Sequence, residues 1–285
     1  MLQNLILRWQ RIASRMGYDI RRVMSLAKER SLYRNLYSAS DLKCRAFVNI
    51  GAGGFRHPFW TNVDHASKWY SNLQASGQVE WDIMSMSPCP VEPEQMNVVY
   101  SSHTIEHITD VAAHHMFKEA HGMLKSGGTF RVTAPDADVL YGAYKRGDEL
   151  FFYNEHGGDS VAWIDASIEE KLVYCFASQR VKFHPEVQSG SVLNPEKIAS
   201  LFSERSLSEA LDQIVSCCSC EIQMRHPGNH INWWNYSKVE DFMKSAGFRG
   251  IRRSEYGQSH CPVLRNTAYF DNTRPRISFY IEAVK

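Results

Sequence analysis

A short apolar segment that runs directly into a cluster of glycines constrains this chain more than any other feature. Residues 47–50 read Phe-Val-Asn-Ile, which is typical of a buried β-strand. The glycines that follow, at 51, 53 and 54, permit a tight turn and let the backbone approach a ligand with no side chain between them. A second short strand is predicted to end in Asp64, where α/β sheets hold ribose hydroxyls. The pattern predicts a nucleoside-containing cofactor at the carboxyl edge of a parallel sheet.

The elements predicted after the glycines strengthen their interpretation as part of a cofactor site. On its own the glycine pattern is a weak signal, because Arg56 stands where the dinucleotide fingerprint has its last glycine, and an ordinary glycine turn is the alternative. Further strands are predicted at 78–81, 97–100 and 129–134, and a helix before the last of these closes at a Gly-Gly pair. Strands that alternate with helices predict an α/β fold.

In this order the segments resemble the class I S-adenosylmethionine-dependent methyltransferases. The resemblance covers roughly residues 46–136, and the subgroup it resembles most is the bacterial enzymes associated with cell-surface polysaccharide and lipopolysaccharide synthesis. The motifs that carry it are Asn-Ile-Gly-Ala-Gly-Gly with Asn-Val-Asp close behind, Ser-Ser-His-Thr-Ile-Glu-His-Ile, and Leu-Lys-Ser-Gly-Gly-Thr-Phe-Arg-Val. The gap between the glycines and Asp64 is short, so the first crossover has room for a helix of only a turn or two.

The resemblance implies a Rossmann-like doubly wound sheet, mostly parallel, with one antiparallel strand near the C-terminus over residues 277–284. It also implies S-adenosylmethionine as the cofactor. Asp64 is expected to hold the ribose, and Asp82 to receive the adenine amino group with Ile83 packed nearby. The predicted cofactor-binding residues are Asn49, Gly51, Ala52, Gly53, Asp64, Asp82, Ile83, Ser101, Ser102 and His103.

Methyl transfer from a sulfonium is a direct displacement, so the protein mainly has to align the acceptor. A hydroxyl acceptor must also lose a proton, usually to a histidine or a carboxylate. His103 follows a predicted strand directly and is the leading candidate base, because an imidazole is the side chain most suited to accept a proton near neutral pH. Asp136 is the reserve candidate, and a role as a turn cap is weighed equally for it.

Two further histidines are candidate catalytic residues. His107 would share a face with His103 on a helix that begins near Ser102, whereas Glu106 is expected to hold that helix against the sheet. His230 precedes a Trp233-Trp234 pair and could close over the acceptor. The two tryptophans either stack on a sugar ring or belong to the core.

The sequence predicts no metal site. His103 and His107, with the histidines at 114, 115 and 121, have a spacing that a metal could use, but the glutamate of a His-Glu-x-x-His motif is in the wrong place. Three cysteines at 217, 218 and 220 lack the Cys-x-x-Cys spacing that zinc prefers, so they are expected to be buried thiols.

Composition excludes other classes of protein. A net charge of +1 argues against a dedicated nucleic-acid binder, and no run of about 18 apolar residues is present to span a membrane. Seven cysteines without a secretory signal indicate reduced thiols in the cytoplasm.

Residues 1–44 are predicted to be a basic amphipathic helical extension. Residues 1–40 carry eight Lys and Arg against two acids, a net charge of +6. A basic amphipathic helix can lie on an anionic membrane surface, but packing on the catalytic domain or in a homodimer is the favoured alternative. A chain that starts near Asp41 is expected to fold and bind the cofactor.

Residues 45–285 are predicted to form one methyltransferase domain with an insertion at about 137–230, placed to serve as a substrate lid. The expected activity is O-methylation of a sugar or another small-molecule hydroxyl, most simply a glycan precursor. N-methylation of an amine or a protein side chain is the first alternative. A cofactor-binding partner protein without turnover is the second.

Overall fold

A single mixed sheet forms the centre of the molecule. The computed structural model describes residues 2–16, 18, 23–67, 77–155, 161–185 and 191–285 of the chain. The strands found there are β1 (Phe47–Ile50), β2 (Thr61–Asp64), β3 (Val79–Glu80), β4 (Met96–Ser102), β5 (Leu124–Pro135), β6 (Arg249–Ser254) and β7 (Ser278–Val284).

The strand order places a ligand-binding crevice between β1 and β4. The order across the sheet is β3-β2-β1-β4-β5-β7-β6. Strands β1 to β5 pair in parallel, whereas β7 is antiparallel to both of its neighbours. This is the Rossmann order with one reversed strand inserted, and such sheets bind ligands where the order reverses, at the carboxyl ends of the strands. The predicted fold class, with one antiparallel strand near the C-terminus, is confirmed.

Helices cover both faces of the sheet and build most of the insertion. They are α1 (Leu2–Arg15), α2 (Leu26–Leu36), α3 (Ala39–Lys43), α4 (Asp110–Met123), α5 (Ala137–Lys145), α6 (Glu149–Glu155), α7 (Val161–Ile164), α8 (Ile168–Tyr174), α9 (Pro195–Glu204), α10 (Leu207–Val215), α11 (Cys220–Arg225) and α12 (Tyr236–Ser245). Side chains alternate along β4, so Val99 packs with α4 and α12 on one face while Val98 and Tyr100 point to the other.

Helix α2 covers that second face, which revises the predicted boundary of the extension. Tyr33 is fully buried, and its ring packs edge-on against Phe47 of β1 at 5.2 Å. The indole of Trp60 donates a 2.6 Å hydrogen bond to the Tyr33 hydroxyl. Glu29, also buried, accepts a 2.8 Å hydrogen bond from Asn266. The extension therefore contains a core helix, and a chain that starts near Asp41 would lack it.

Helix α1, unlike α2, does not bury its described apolar side chains. Its apolar residues with described side chains are largely exposed, among them Leu5, Ile6, Trp9 and Ile12 at 39–56%. The described side chains of α1 do not cap the catalytic domain, and packing of α1 in a homodimer, the other half of the favoured alternative, stays a prediction. None of the described helices is long and apolar enough to cross a bilayer.

Two local expectations about the site are wrong. Residues 51–60, between β1 and β2, contain turns and no helix, so the first crossover is shorter than predicted. No helix begins near Ser102 either. The N–H of His103 continues the sheet by donating to the Thr133 carbonyl at 2.8 Å, and His103 then adopts φ +51°, which interrupts any helix. A short 3-10 helix, Ile105–His107, follows instead.

The insertion has a core of its own. Helices α5 and α8 to α10 bury an apolar cluster with Trp233, separate from the cluster under the sheet. Helices α9 and α10 are separate, because Ser206 begins α10 with a capping box that Glu209 completes. Residues 156–160 and 186–190 of the insertion lie outside the described part of the chain.

Candidate active site

A cavity of about 790 Å³ opens at the carboxyl ends of β1 to β4. Its volume is in the range of small-molecule and cofactor sites, which are about 300–1,000 Å³. The loops after these four strands supply most of its wall, and they include nine of the predicted cofactor residues. Those nine are Asn49, Gly51, Ala52, Gly53, Asp64, Asp82, Ile83, Ser102 and His103. Ser101 is buried and does not reach this wall.

Two of the glycines meet specific backbone requirements. Gly51 has φ +69°, and a Cβ built there would collide with the side chain of Thr104. Gly53 has φ +49°, and its N–H donates a 2.6 Å hydrogen bond to Oδ2 of Asp64. The left-handed conformation favours glycine at both positions. The glycine loop and the second strand are thus joined through the Asp64 carboxylate.

Asp64 is held at the cavity wall by backbone donors on both oxygens. Oδ1 accepts from the N–H of His65 at 2.8 Å, in addition to the Gly53 bond to Oδ2. Burial raises the pKa of Asp64, and these two N–H groups oppose that rise. Each carboxylate oxygen can accept more than one hydrogen bond, so the oriented group can still receive ribose hydroxyls.

The neighbouring wall suits a purine. Asp82 accepts a 2.9 Å hydrogen bond from the N–H of Met84 and so caps a short 3-10 helix. Trp81, Ile83 and Met84 line the same region with apolar surface. Asn49 also lines the cavity, and its Oδ1 is buried and has no hydrogen-bond partner among the described residues. An orphaned acceptor, an oriented carboxylate and an apolar wall fit a nucleoside cofactor that also carries amino groups.

His103 lies at the end of β4 with both ring nitrogens in contact. Nδ1 is 3.0 Å from Oε1 of Glu106, and Nε2 is 2.8 Å from Oγ of Ser278. Its side chain is 9% exposed, on the cavity wall. A buried carboxylate behind an imidazole is an arrangement that orients a catalytic base.

Glu106 lies at the centre of a group of histidines. Burial would raise its pKa, but the charges of His103, His107 and His230 outweigh burial and lower that pKa to about 2. Nε2 of His107 is 3.9 Å from Oε1 of Glu106. The ring of His230 lies 4.8 Å from that of His107, and burial lowers the pKa of His230 to about 4.

Of the four predicted catalytic residues, only His103 and His107 lie on the cavity wall. Asp136 is buried, accepts the N–H of Asp138 to cap α5, and lies 3.7 Å from Arg253. This geometry favours the role of Asp136 as a turn cap over its role as a catalytic base, which the sequence analysis weighed equally. His230 is behind His107 and does not line the cavity. Trp233 and Trp234 are core residues, so neither is available to stack on a sugar.

Two further wall segments escaped the sequence analysis. Gln223, Met224 and Pro227 reach the cavity from the insertion, and a segment between β6 and β7 adds Ala268, Tyr269, Asn272 and Thr273. No local pattern marks either segment, because their place in the site depends on the long-range packing of the chain.

Comparisons with known proteins agree with this geometry. A family model described as "Methyltransferase domain" matches residues 59–132, which run from just before β2 into β5. No curated protein matches the sequence significantly. The matched segment, the strand order and the cavity identify the chain as an S-adenosylmethionine-dependent methyltransferase, with S-adenosylmethionine as its cofactor.

Similar solved structures are distant in sequence. A SAM-dependent methyltransferase from Archaeoglobus fulgidus has 12% identity and a TM-score of 0.42, over 91% of this chain and 93% of that one. A Thermotoga maritima protein, described as a "possible histamine N-methyltransferase", has 14% identity and a TM-score of 0.39, with 86% of each chain covered. A Mesorhizobium loti S-adenosylmethionine-dependent methyltransferase has 11% identity and a TM-score of 0.39, over 84% of this chain and 90% of that one.

Proposed function

We propose that this enzyme transfers a methyl group to a hydroxyl oxygen of a small molecule, most simply a sugar in a glycan precursor. The observation that carries the proposal is the His103 imidazole on the cavity wall, with the Glu106 carboxylate 3.0 Å behind it. A nitrogen acceptor can attack as the neutral amine and needs no strong base, whereas a hydroxyl gains from one. An oriented imidazole at this place therefore favours oxygen as the acceptor atom.

Some residues of the site would bind the cofactor, and His103 would remove the proton from the acceptor. When bound, S-adenosylmethionine supplies an activated methyl group and a neutral thioether leaving group. Asp64 and Asp82 would hold the nucleoside part. Nδ1 of His103 faces Glu106, so Nε2 is the ring nitrogen left to take the acceptor proton. In the free enzyme Nε2 contacts Ser278. An acceptor hydroxyl that replaces Ser278 at this nitrogen can release its proton there.

The glycan part of the proposal is supported by the resemblance of residues 46–136 to the polysaccharide-associated subgroup. It is also compatible with the insertion, since Gln223 and Met224 extend the cavity wall beyond the strand ends. Their position suits residues that contact the acceptor. The cysteine content of the chain, seven residues without a secretory signal, supports a reducing, cytoplasmic location.

Mass spectrometry of the product tests this proposal. The purified protein would be incubated with labelled cofactor and extracts that contain glycan precursors and small molecules. We expect one added methyl group on an oxygen, located by fragmentation. A methyl group on nitrogen would instead establish the first alternative, and cofactor binding without transfer to any acceptor would establish the second.

We also propose that α1 brings the enzyme to anionic membrane surfaces. Its exposed apolar residues are accompanied by Arg8, Arg11 and Arg15. Each basic residue near an anionic surface contributes about 1 kcal/mol. We therefore expect the full-length chain to bind anionic vesicles at low salt roughly a hundredfold more tightly than a variant with these three arginines changed to glutamine.

Sedimentation with vesicles measures this difference, with neutral phosphatidylcholine vesicles as the control. Equal binding of the two proteins, or no binding by the full-length chain, would refute the membrane proposal. A concentration-dependent dimer that the same substitutions disrupt would assign α1 to a homodimer instead.

A further inference from the structure

Glu106, His107 and His230 form a cluster that the proposed reaction uses only through the contact of Glu106 with His103. One ligand atom from each side chain lies within 4.8 Å of the other two. We propose that this cluster binds a divalent transition-metal ion such as zinc. The sequence predicted no metal, because the glutamate of a His-Glu-x-x-His motif is in the wrong place. His230, which comes from a distant segment, was not considered as a ligand.

The two imidazoles are oriented as metal ligands usually are. Nδ1 of His107 lies 2.9 Å from the carbonyl oxygen of Asn229, and Nδ1 of His230 lies 2.6 Å from that of Cys175. A carbonyl oxygen only accepts, so each Nδ1 carries a hydrogen, and in that tautomer the lone pair of the ring is on Nε2. Metal-binding histidines typically donate their other N–H to such a partner, which sets the tautomer and the ring direction.

In the described part of the chain, the buried carboxylate of Glu106 has ion-pair contacts on one oxygen only. The residue is 1% exposed, and neither oxygen has a hydrogen-bond partner of good geometry among the described residues. Its ion-pair contacts, at 3.0 Å to His103 and 3.9 Å to His107, both involve Oε1. A buried carboxylate is costly unless a cation or donors compensate it. A metal ion between Glu106 and the two Nε2 atoms would supply the compensating charge.

Hydrogen bonds to two backbone carbonyls hold together the segments that carry these ligands. The N–H of Ile231 donates to the carbonyl of Glu106 at 2.9 Å, and the indole of Trp234 donates to that of Ile105 at 2.9 Å. The site is therefore largely formed without an ion. Side-chain shifts of about an ångström would bring the three ligand atoms to metal–ligand distances.

The ligand set itself indicates the kind of ion. Two histidines and one carboxylate are typical of zinc and other divalent transition metals, and three protein ligands leave a coordination position open. His107 also lines the cavity, so the ion would lie at its wall.

Calorimetric titration with zinc chloride tests the site in the untagged, metal-stripped protein. Cys217 and Cys220 are exposed, so the expectation that they are buried is wrong. Together with the exposed Cys44 they would be changed to serine in every sample, so that their thiols do not compete. We expect one equivalent to bind, and at least a tenfold loss of affinity in Glu106→Gln and in His230→Ala. His260→Ala, at an exposed histidine remote from the cluster, is the matched control and should bind as the parent does.

Absence of binding by the parent protein would overturn the proposal, as would equal binding by all variants. Cobalt absorption spectra add a measurement that does not depend on the variants folding. We expect the spectrum of nitrogen and oxygen ligation, and a thiolate charge-transfer band would place the ion on cysteine and refute the site. S-adenosylhomocysteine affinity, measured in parallel, reports separately on the cofactor cavity.

Discussion

Substitution of His103 is expected to reduce turnover by about a hundred- to ten-thousand-fold, the usual contribution of a general base. The better variant is His103→Asn, because His103 has φ +51° and asparagine tolerates that conformation more readily than alanine. Asparagine cannot take up the acceptor proton. Affinity for the cofactor should change much less, because the base acts on the acceptor. The measurement is the turnover number at saturating cofactor with the acceptor that the product search identifies.

Controls separate chemistry from structure. His260→Asn changes an exposed histidine that does not line the cavity, and should leave turnover unchanged. Asp136→Asn keeps a side-chain acceptor for the cap of α5 and should have little effect on turnover. Near wild-type turnover in His103→Asn would dismiss His103 as the base and favour a nitrogen acceptor.

The second large effect is expected at Tyr33. Truncation of a buried aromatic residue to alanine costs about 3–5 kcal/mol. Tyr33→Ala also removes the partner of the Trp60 indole, a buried donor whose loss of a hydrogen bond costs about 1–3 kcal/mol more. We therefore expect the free energy of unfolding, measured in urea, to fall by at least about 3 kcal/mol.

Two truncations extend this test to the whole extension. A chain that lacks residues 1–22 should keep the stability of the full-length protein, because α1 covers no described core surface. A chain that lacks residues 1–40 should fail to fold, since α2 is removed. Tyr18→Ala is the matched point control, at a tyrosine that is 69% exposed. A stable, cofactor-binding chain starting at Asp41 would contradict the role assigned to α2.

Local sequence was enough to predict the cofactor edge of the fold. The strand before Gly51 and the acid at Asp64 are separated by only a short loop, and both follow directly from residue type. The reversed strand near the C-terminus was anticipated from the family resemblance, and the pairing of β7 with β5 and β6 confirms it.

Features that depend on distant packing could not be predicted in the same way. An amphipathic pattern shows that a helix has an apolar face, but does not show what covers it, so α1 and α2 were treated alike. The conformation of His103 was missed because its N–H bonds to Thr133 on a neighbouring strand. His230 approaches His107 only because the insertion returns to the sheet there.

The central claim is that the cavity at the ends of β1 to β4 binds S-adenosylmethionine through Asp64. Calorimetry with S-adenosylhomocysteine, the demethylated product, tests it most directly because no acceptor is needed. Asp64→Ala, or Asp64→Asn with its shape preserved, removes a charged acceptor and should cost about 1.5–3 kcal/mol of binding free energy. Glu92→Ala, at an exposed carboxylate away from the cavity, is the control and should bind as the wild type does. Unchanged affinity in folded Asp64 variants, or no binding by the wild type, would contradict this account.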